Sequence, residues 1–328
     1  MFDLSRIDGV KIGVLGDAAV DIHWYADMKK SELSRETPHF PLPVTREEIT
    51  PGAAGNLAAN IAALKPERLE FCGVIGGDWR GEVLKKSFSE RGIGTDGLIV
   101  ETGRFTNAYC KPMRMGISDV VYEDPRIDFS TDSPISKESE NAVLEWLGAA
   151  EDRLDAVCVC DQFAGGCVNE TVRKKISGLR IPVFADSRYN IGKFRLKRGV
   201  LKPNERECAS ALSGSGIAPS EDMAENGLRL AQITGSNILL TLGENGALII
   251  SGGTVTPVPA VRVTGETDIC GAGDTYLSAF ACCAAAGASY AEAASAAAAA
   301  SAVTVKKIGV TGTADREEIV RMASGIGA

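Results

Sequence analysis

Histidine is nearly absent from this chain of 328 residues: His23 and His39 are the only two, so a histidine-based catalytic triad or metal cluster has little raw material. A basic excess is missing too. With 35 lysines and arginines against 43 acidic residues, the net charge of -8 argues against a general binder of phosphate backbones, although it leaves a local cationic cluster open. No run of eighteen strongly apolar residues occurs, and the start, MFDLSRIDGV, lacks the cationic and apolar regions of a secretion signal, so the expected location is the cytoplasm. The nine cysteines (Cys72, Cys110, Cys158, Cys160, Cys167, Cys208, Cys270, Cys282 and Cys283) show no paired CxxC spacing and sit mostly inside apolar runs such as AVCVC and FACCAAAG. They read as small buried hydrophobes in a reducing compartment rather than disulfides or zinc ligands; Cys270 stays open because it adjoins the motif described below. No GxxxxGK[ST] occurs, which excludes a Walker-type phosphate loop, and the first turn, GDAAVD, lacks the GxGxxG of a dinucleotide-binding dehydrogenase.

What is present alternates. Short β-branched and apolar runs bounded by turn residues are interleaved with longer helical stretches, the pattern of βαβ units around a mainly parallel sheet. The expected strands are KIGVLG, LEFCGVIG, AVCVC, IPVFAD, NILLTLG and ALIIS. Helices are expected at GNLAANIAALK, RGEVLKKSFSERG, ESENAVLEWLGAA, NETVRKKISGL and EDMAENGLRLAQITG, and in one long alanine-rich segment from Asp274 to about Lys306. Alanine has the highest helix propensity and a small side chain, so that last segment reads as a closely packed helix beside a ligand rather than as disorder. Two segments break the rhythm, residues 34–51 and 105–130, whose prolines and mixed polar and apolar residues suit short antiparallel strands. They are expected to form one small sheet covering a site on the main domain; the alternative is a pair of surface loops. No internal repeat is present.

The most informative stretch is Asp268-Ile-Cys-Gly-Ala-Gly-Asp-Thr275, a strand end, a small-residue turn and a helix start. Gly271, Ala272 and Gly273 let the backbone approach a ligand closely, and exposed N–H groups at the positive end of a helix favour a phosphate or a developing oxyanion. A carboxylate directly after such a nest suits work on a substrate proton. In phosphoryl transfer a positioned Asp accepts the hydroxyl proton while N–H donors and metal stabilise the moving group. The alternative is that Asp274 merely caps the helix.

DICGAGD resembles the second signature of the ribokinase-like (PfkB) carbohydrate kinases, whose final Asp is the catalytic base. Pro51-Gly-Ala-Ala-Gly-Asn-Leu-Ala-Ala-Asn60 is similar to the first signature. Gly16-Asp-Ala-Ala-Val-Asp21, Lys202-Pro-Asn-Glu-Arg-Glu207 and Thr241-Leu-Gly-Glu-Asn-Gly246 fall in the family's order across nearly the whole chain. The resemblance implies one three-layer α/β/α domain over residues 1–328, with a mainly parallel sheet and a small antiparallel β lid from segments 34–51 and 105–130. It implies ATP-dependent phosphorylation of a sugar or sugar-phosphate hydroxyl with Mg2+, Asp274 as base, and the Gly271 to Gly273 amides as anion hole. Asp21 and Asn56 would bind sugar hydroxyls, since a carboxylate and an amide together accept from and donate to a polyol. Gly52, Ala53 and Ala54 would offer the sugar bare backbone; the family usually has two glycines here, and Ala53 replaces the second. Asp17, in the first turn, reads equally as a turn residue. Asn204 and Glu207 would stand near the nucleotide phosphates and magnesium, Glu207 acting through water, or else they simply open a charged helix. Thr241, Gly243 and Gly246 would border the ATP phosphates and ribose, with Ala298 and Ser301 near the adenine. Asp268 resembles the position that helps hold a monovalent cation, K+, in many members.

Within that family the overall resemblance is to the heptose-phosphate kinase domain of bifunctional ADP-heptose synthases, carried by SRETPHFPLPV, Thr106-Asn-Ala-Tyr-Cys-Lys111, Arg114 and Tyr122-Glu-Asp-Pro-Arg-Ile-Asp128. Lys111, Arg114 and Arg126 would then grip a phosphate already on the substrate, unless these cations only blunt the edges of the lid. Ala164 stands where a lysine is common in that group, and no nucleotidyltransferase domain is expected beyond Ala328, so the resemblance implies a phosphosugar acceptor more than a heptose in particular. A nucleoside kinase of the same superfamily would line the lid with stacking groups, and a non-catalytic sugar- or nucleotide-binding regulator would not need an intact Asp274. Neither nucleic acid nor membrane is an expected partner. A homodimer through the lid is the expected assembly.

Overall fold

The computed structural model describes residues 2–309 and 311–325. The chain lays down β1 (Lys11–Gly16), leaves it for β2 (Ala18–Asp27) and β3 (Val44–Ala53), and turns into α1 (Ala54–Ala63). It returns through β4 (Arg68–Gly76), α2 (Trp79–Glu90) and β5 (Gly94–Glu101), then departs again for β6 (Asn107–Met115), β7 (Tyr122–Glu123) and β8 (Ile127–Phe129). The second half runs α3 (Lys137–Ala150), β9 (Ala156–Asp161), α4 (Glu170–Ser177), β10 (Val183–Ser187), β11 (Gly199–Leu201), α5 (Glu205–Gly214) and α6 (Met223–Thr234). A meander of β12 (Asn237–Thr241), β13 (Ala247–Ser251) and β14 (Thr254–Val258) precedes α7 (Ala272–Ala285), α8 (Tyr290–Thr304) and α9 (Arg316–Ala323).

Among the described residues the main sheet has nine strands in the order β14-β13-β12-β11-β10-β9-β1-β4-β5. It is parallel from β5 to β12 and antiparallel only through β13 and β14. Successive residues of one strand feed opposite faces, as the pleat requires. Ile12, Val14, Cys158 and Phe184 pack against Leu57, Phe280 and the alanines of α8, whereas Leu15, Val157, Val159 and Ala185 pack against Val143, Leu147, Val172 and Leu212. Strands buried on both faces explain the continuous apolar runs, and α1, α7 and α8 on one side with α3 to α6 on the other give the three layers.

The alanine-rich segment is not one helix. It breaks between α7 and α8, where Gly287 adopts φ +88° and Ser289 opens α8 in a capping box with Glu292. Ser289 and Glu292 are that break's signal in the sequence, a Ser followed three residues later by Glu.

The lid also differs from expectation. It is a five-stranded sheet, β3-β2-β6-β7 with β8 also on β6, and its central pair, β2 and β6, is parallel. The turn expected at GDAAVD, residues 16–21, extends instead into the buried middle strand Ala18–Asp27; strand partners on both sides explain the continuous run AAVDIHWYA. Of segment 34–51, strand begins only at Val44.

Candidate active site

Two crossings between main sheet and lid place the site. Chain leaving β1 at Asp17 enters the lid, and the lid returns along β3 into α1, so the lid is sewn to the carboxyl ends of the parallel strands, where α/β sheets bind ligands. Asp17 is the stitch. Its buried carboxylate accepts the backbone N–H groups of Gln162, Phe163 and Cys167, each at 2.8 Å, and burial pushes its pKa up to about 6 despite them. The turn reading of Asp17 is therefore the observed one.

Asp274 lies in the first turn of α7 but makes no capping bond there. Its Oδ2 instead accepts the Asn56 Nδ2 hydrogen at 2.6 Å, from the first turn of α1. Desolvation is the largest influence on this carboxyl; the Asn56 donor and Lys202 oppose it, Asp186 and Asp21 reinforce it, and the result is a pKa raised to about 7. Gly271 starts the helix at φ +75°, and a Cβ there would come 2.9 Å from Asn56 Nδ2, so only glycine lets the two helix starts meet.

Asn56, Asp21, Ala53, Gly271 and Asp274 line a cleft of about 200 Å³ with Lys111 and Arg126 of the lid. Asp21 accepts from Thr311 Oγ1 at 3.1 Å, and burial raises its pKa while Lys111 pulls it down. A side chain at Gly52 would bring its Cβ 2.6 Å from Asp21 Oδ1, so the glycine is what admits that carboxylate. Next to it, Ala53 holds φ +49° and ψ -127°, a conformation suited to glycine, and Ala54 is fully buried.

The structure separates the three lid cations. Tyr109 and Lys111 face the cleft, and Arg126 lies over the Tyr109 ring at 4.5 Å while paired with Asp128. Arg114 does not reach the cleft: three residues beyond Lys111 on the same strand, it has the opposite parity and forms an ion pair with Asp124 at 2.6 Å. Arg188, not singled out from the sequence, supplies a cation at the rim instead, just past β10. Gln162, Thr311 and Tyr109, stacked on Phe163 at 5.8 Å, were missed as well. That Arg188 and Gln162 follow strand ends was the available signal for those two.

The nucleotide-side residues are mostly occupied structurally. Asn204 and Glu207 form a reciprocal capping box at the start of α5, and Thr241 bonds Pro203 and bridges Asn204. Gly246 sits where a Cβ would strike the Val258 carbonyl, and Gly243, at φ +57°, opens the turn after β12. Ser301 donates to the Ala272 carbonyl at 2.9 Å and Ala298 is buried in the core, so this stretch braces α7. The Ala272 N–H is given to the Ile269 carbonyl, which leaves Gly271 and Gly273 of the expected anion hole. Asp268 accepts from Cys270 N and Gly309 N, tying two loops together.

Lys202, the first residue of the Lys202–Glu207 motif, stands near the same site. It is buried, ion-paired with Asp186 at 2.7 Å, and a Cβ on Gly273 would lie 3.6 Å from its Nζ. Desolvation works against its charge, yet Asp186, Glu207 and Asp274 outweigh it and raise the pKa. Asp186 Oδ1 is buried with no hydrogen-bond partner, and burial together with Asp186 lifts Glu207 to about 7. A larger groove of about 480 Å³ lies elsewhere, along the starts of β4 and β5. Its lining mixes Lys65, Arg68 and Arg91 with Glu67, Glu70 and Asp96, so it lacks a dominant charge for a ligand.

A half-buried carboxylate facing a cationic rim beside a glycine-capped helix start is the decisive geometry, and the sequence profile described as pfkB family carbohydrate kinase matches residues 14–317. The chain belongs to that family. The bifunctional protein HldE of Geobacter sulfurreducens is 32% identical over 313 residues, covering 94% of this chain but 61% of that protein, so the chain spans under two thirds of this curated relative's length. Arabidopsis thaliana ribokinase, solved with ribose and ATP, superposes with a TM-score of 0.71 at 20% identity, covering 96% of this chain and 99% of that one. Escherichia coli phosphofructokinase-2, solved with potassium, gives 0.73 at 16% identity, covering 97% and 99%. This PfkB chain thus has the ribokinase-like fold, and among its described residues no helix is long and apolar enough to cross a membrane.

Proposed function

We propose that this chain transfers the terminal phosphate of ATP to a hydroxyl of a sugar that already carries an anionic group, with Asp274 as the base. The observation that carries the reading is the place of Asp274: at the foot of the cleft, with Lys111, Arg126 and Arg188 on its rim and the Gly273–Lys202 side behind it. A carboxyl titrating near 7 is about half ionised at neutral pH and, being more basic than an ordinary carboxylate, is better able to receive an alcohol proton in the transition state. Asp21 orients the acceptor, and the rim cations hold its phosphate, Arg188 by paired N–H donors, Arg126 through the N–H groups that Asp128 leaves free, and Lys111 as a point charge. The Gly271 and Gly273 amides and the Lys202 ammonium stabilise charge on the moving phosphoryl group. Lid closure excludes water as a competing acceptor.

Magnesium fits the residues present: the unpartnered Asp186 Oδ1 and the raised Glu207 carboxyl are two oxygens in want of a cation, and they would hold Mg2+ through water. Bound there, it neutralises charge on the nucleotide's phosphate oxygens. Potassium has a thinner basis, since both Asp268 oxygens already accept backbone N–H groups, and no step is assigned to it. The resemblance of the lid segments to those of heptose-phosphate kinase domains favours a heptose phosphate as the acceptor. Tyr109 stacked on Phe163 favours a second reading, a nucleoside acceptor. Coupled measurement of ADP release over a panel of sugars, sugar phosphates and nucleosides decides: turnover restricted to nucleosides sinks the first reading, and no acceptor-dependent release sinks both. The exposed lid residues Phe40, Leu42, Val120 and Tyr122 make the lid our choice for a homodimer surface, tested by light scattering.

A further inference from the structure

Behind the base runs a line of side chains from two helices. Thr275 Oγ1 lies 2.8 Å from Asn60 Oδ1 and 3.2 Å from the Gly271 carbonyl, and its one hydrogen goes to the nearer, Asn60; Asn60 Nδ2 lies 3.0 Å from the Asn56 carbonyl and 3.1 Å from Asn56 Oδ1, donating to both; and Asn56 Nδ2 donates to Asp274. Asn56, Asn60 and Thr275 are 3%, 2% and 2% exposed, so bulk water does not compete for these bonds. The direction of the line is forced. A backbone carbonyl only accepts, so the end of Asn60 beside it is the NH2 group. With that group turned toward the Asn56 side chain, the atom it meets is Oδ1, which leaves Nδ2 for Asp274. An isolated asparagine could turn over and offer its oxygen to a protonated carboxyl; Asn56 cannot do so without leaving an Asn60 hydrogen unpaired in the interior.

We propose that Asn60 and Thr275 are positioning residues for the transfer reaction: they lock the Asn56 amide with its donor toward Asp274, so that the base always meets an N–H and never a carbonyl oxygen. The proposal rests on the reading of Asp274 as the base. The lock favours the ionised carboxylate and holds Oδ2, leaving Oδ1 as the oxygen that meets a substrate hydroxyl. It works among other groups facing Asp274: Asp186 and Asp21, which favour protonation; Lys202, which opposes it; the buried Cys160 thiol; and Lys111, Arg126 and Arg188 across the cleft. None of these touches the Asn60–Asn56 bond, so the lock can be tested separately from them.

The test follows the Asp274 carboxyl directly, by carbon-13 resonance titration of aspartate-labelled protein, with the signal assigned by its loss in Asp274→Asn. In Asn60→Leu, close in shape but without a donor, the midpoint rises by about one pH unit, a roughly tenfold gain in proton affinity. Thr275→Val raises it less, and Thr275→Ser, which keeps the hydroxyl, leaves it at the wild-type value. A folded Asn60→Leu with an unmoved midpoint overturns the proposal. If that variant fails to fold, Thr275→Val decides on the same terms. A wild-type chain with no phosphotransfer to any acceptor, alongside a moved midpoint, sinks the kinase reading and leaves the lock standing.

Discussion

Replacing Asp274 with asparagine should inactivate the protein and stabilise it at once. The side chain keeps its shape and its bond from Asn56 Nδ2, because an amide oxygen accepts as a carboxylate does, but it no longer ionises. Turnover is expected to fall by about two to four orders of magnitude, the usual cost of losing a positioned base. Stability moves the other way. In the folded chain the carboxyl titrates at about 7 against an ordinary 3.8 in the unfolded one. The folded form therefore binds the proton more tightly, and wild-type stability declines as pH rises from about 4 to about 7. At about 1.4 kcal/mol per pH unit the ceiling is roughly 4 kcal/mol, and water reaching the carboxylate through the cleft cuts this to roughly 2 kcal/mol. Thermal unfolding of the two proteins at pH 5 and pH 8 reads the effect: the variant's advantage should be small at pH 5 and grow to a few degrees by pH 8. An advantage equal at both pH values, or none, refutes the argument that burial destabilises this carboxylate. Near-normal turnover removes Asp274 from the role of base.

Other expectations follow from the same site. In wild type, kcat/KM should climb from acid pH and level off above about 7, because Asp274 has to be ionised to take the proton; a profile flat from pH 5 to 9 contradicts it. Lys111→Met or Arg188→Ala should raise the KM for a phosphorylated acceptor by about 10- to 100-fold, the worth of one charge-assisted hydrogen bond, while leaving the KM for ATP nearly unchanged; equal effects on both would mean the rim does not read the acceptor. Lys202→Met leaves the Asp186 carboxylate buried without its cation and should cost about 3–5 kcal/mol, read as a lower denaturant midpoint. Ala53→Gly releases a backbone strain of about 1–3 kcal/mol against roughly 0.5–1 kcal/mol of added chain freedom when unfolded, so the midpoint should rise. A fall would show that Ala53 is relaxed where it stands.

The parallel sheet, the helices that cover it and the small-residue helix start at Gly271 were legible in the sequence, because each depends on local pattern: apolar runs of strand length, helical periodicity, and glycine where backbones crowd. Asp274 was legible for the same reason, as a carboxylate one step beyond a turn. What the linear pattern did not carry is parity and partnership. Arg114 and Lys111 look alike in sequence, but the pleat of β6 sends them to opposite faces. Sequence suggests Asn56 as a sugar ligand, but only when α1 and α7 come together does its amide also meet a carboxylate 218 residues away. Lys202, Asp186 and Arg188 belong to the site only because parallel strands end side by side there. Local sequence thus determined which elements form and where the chain turns tightly. Tertiary packing decided which charges are desolvated and what each faces, since burial and pairing arise only when distant segments close on one another.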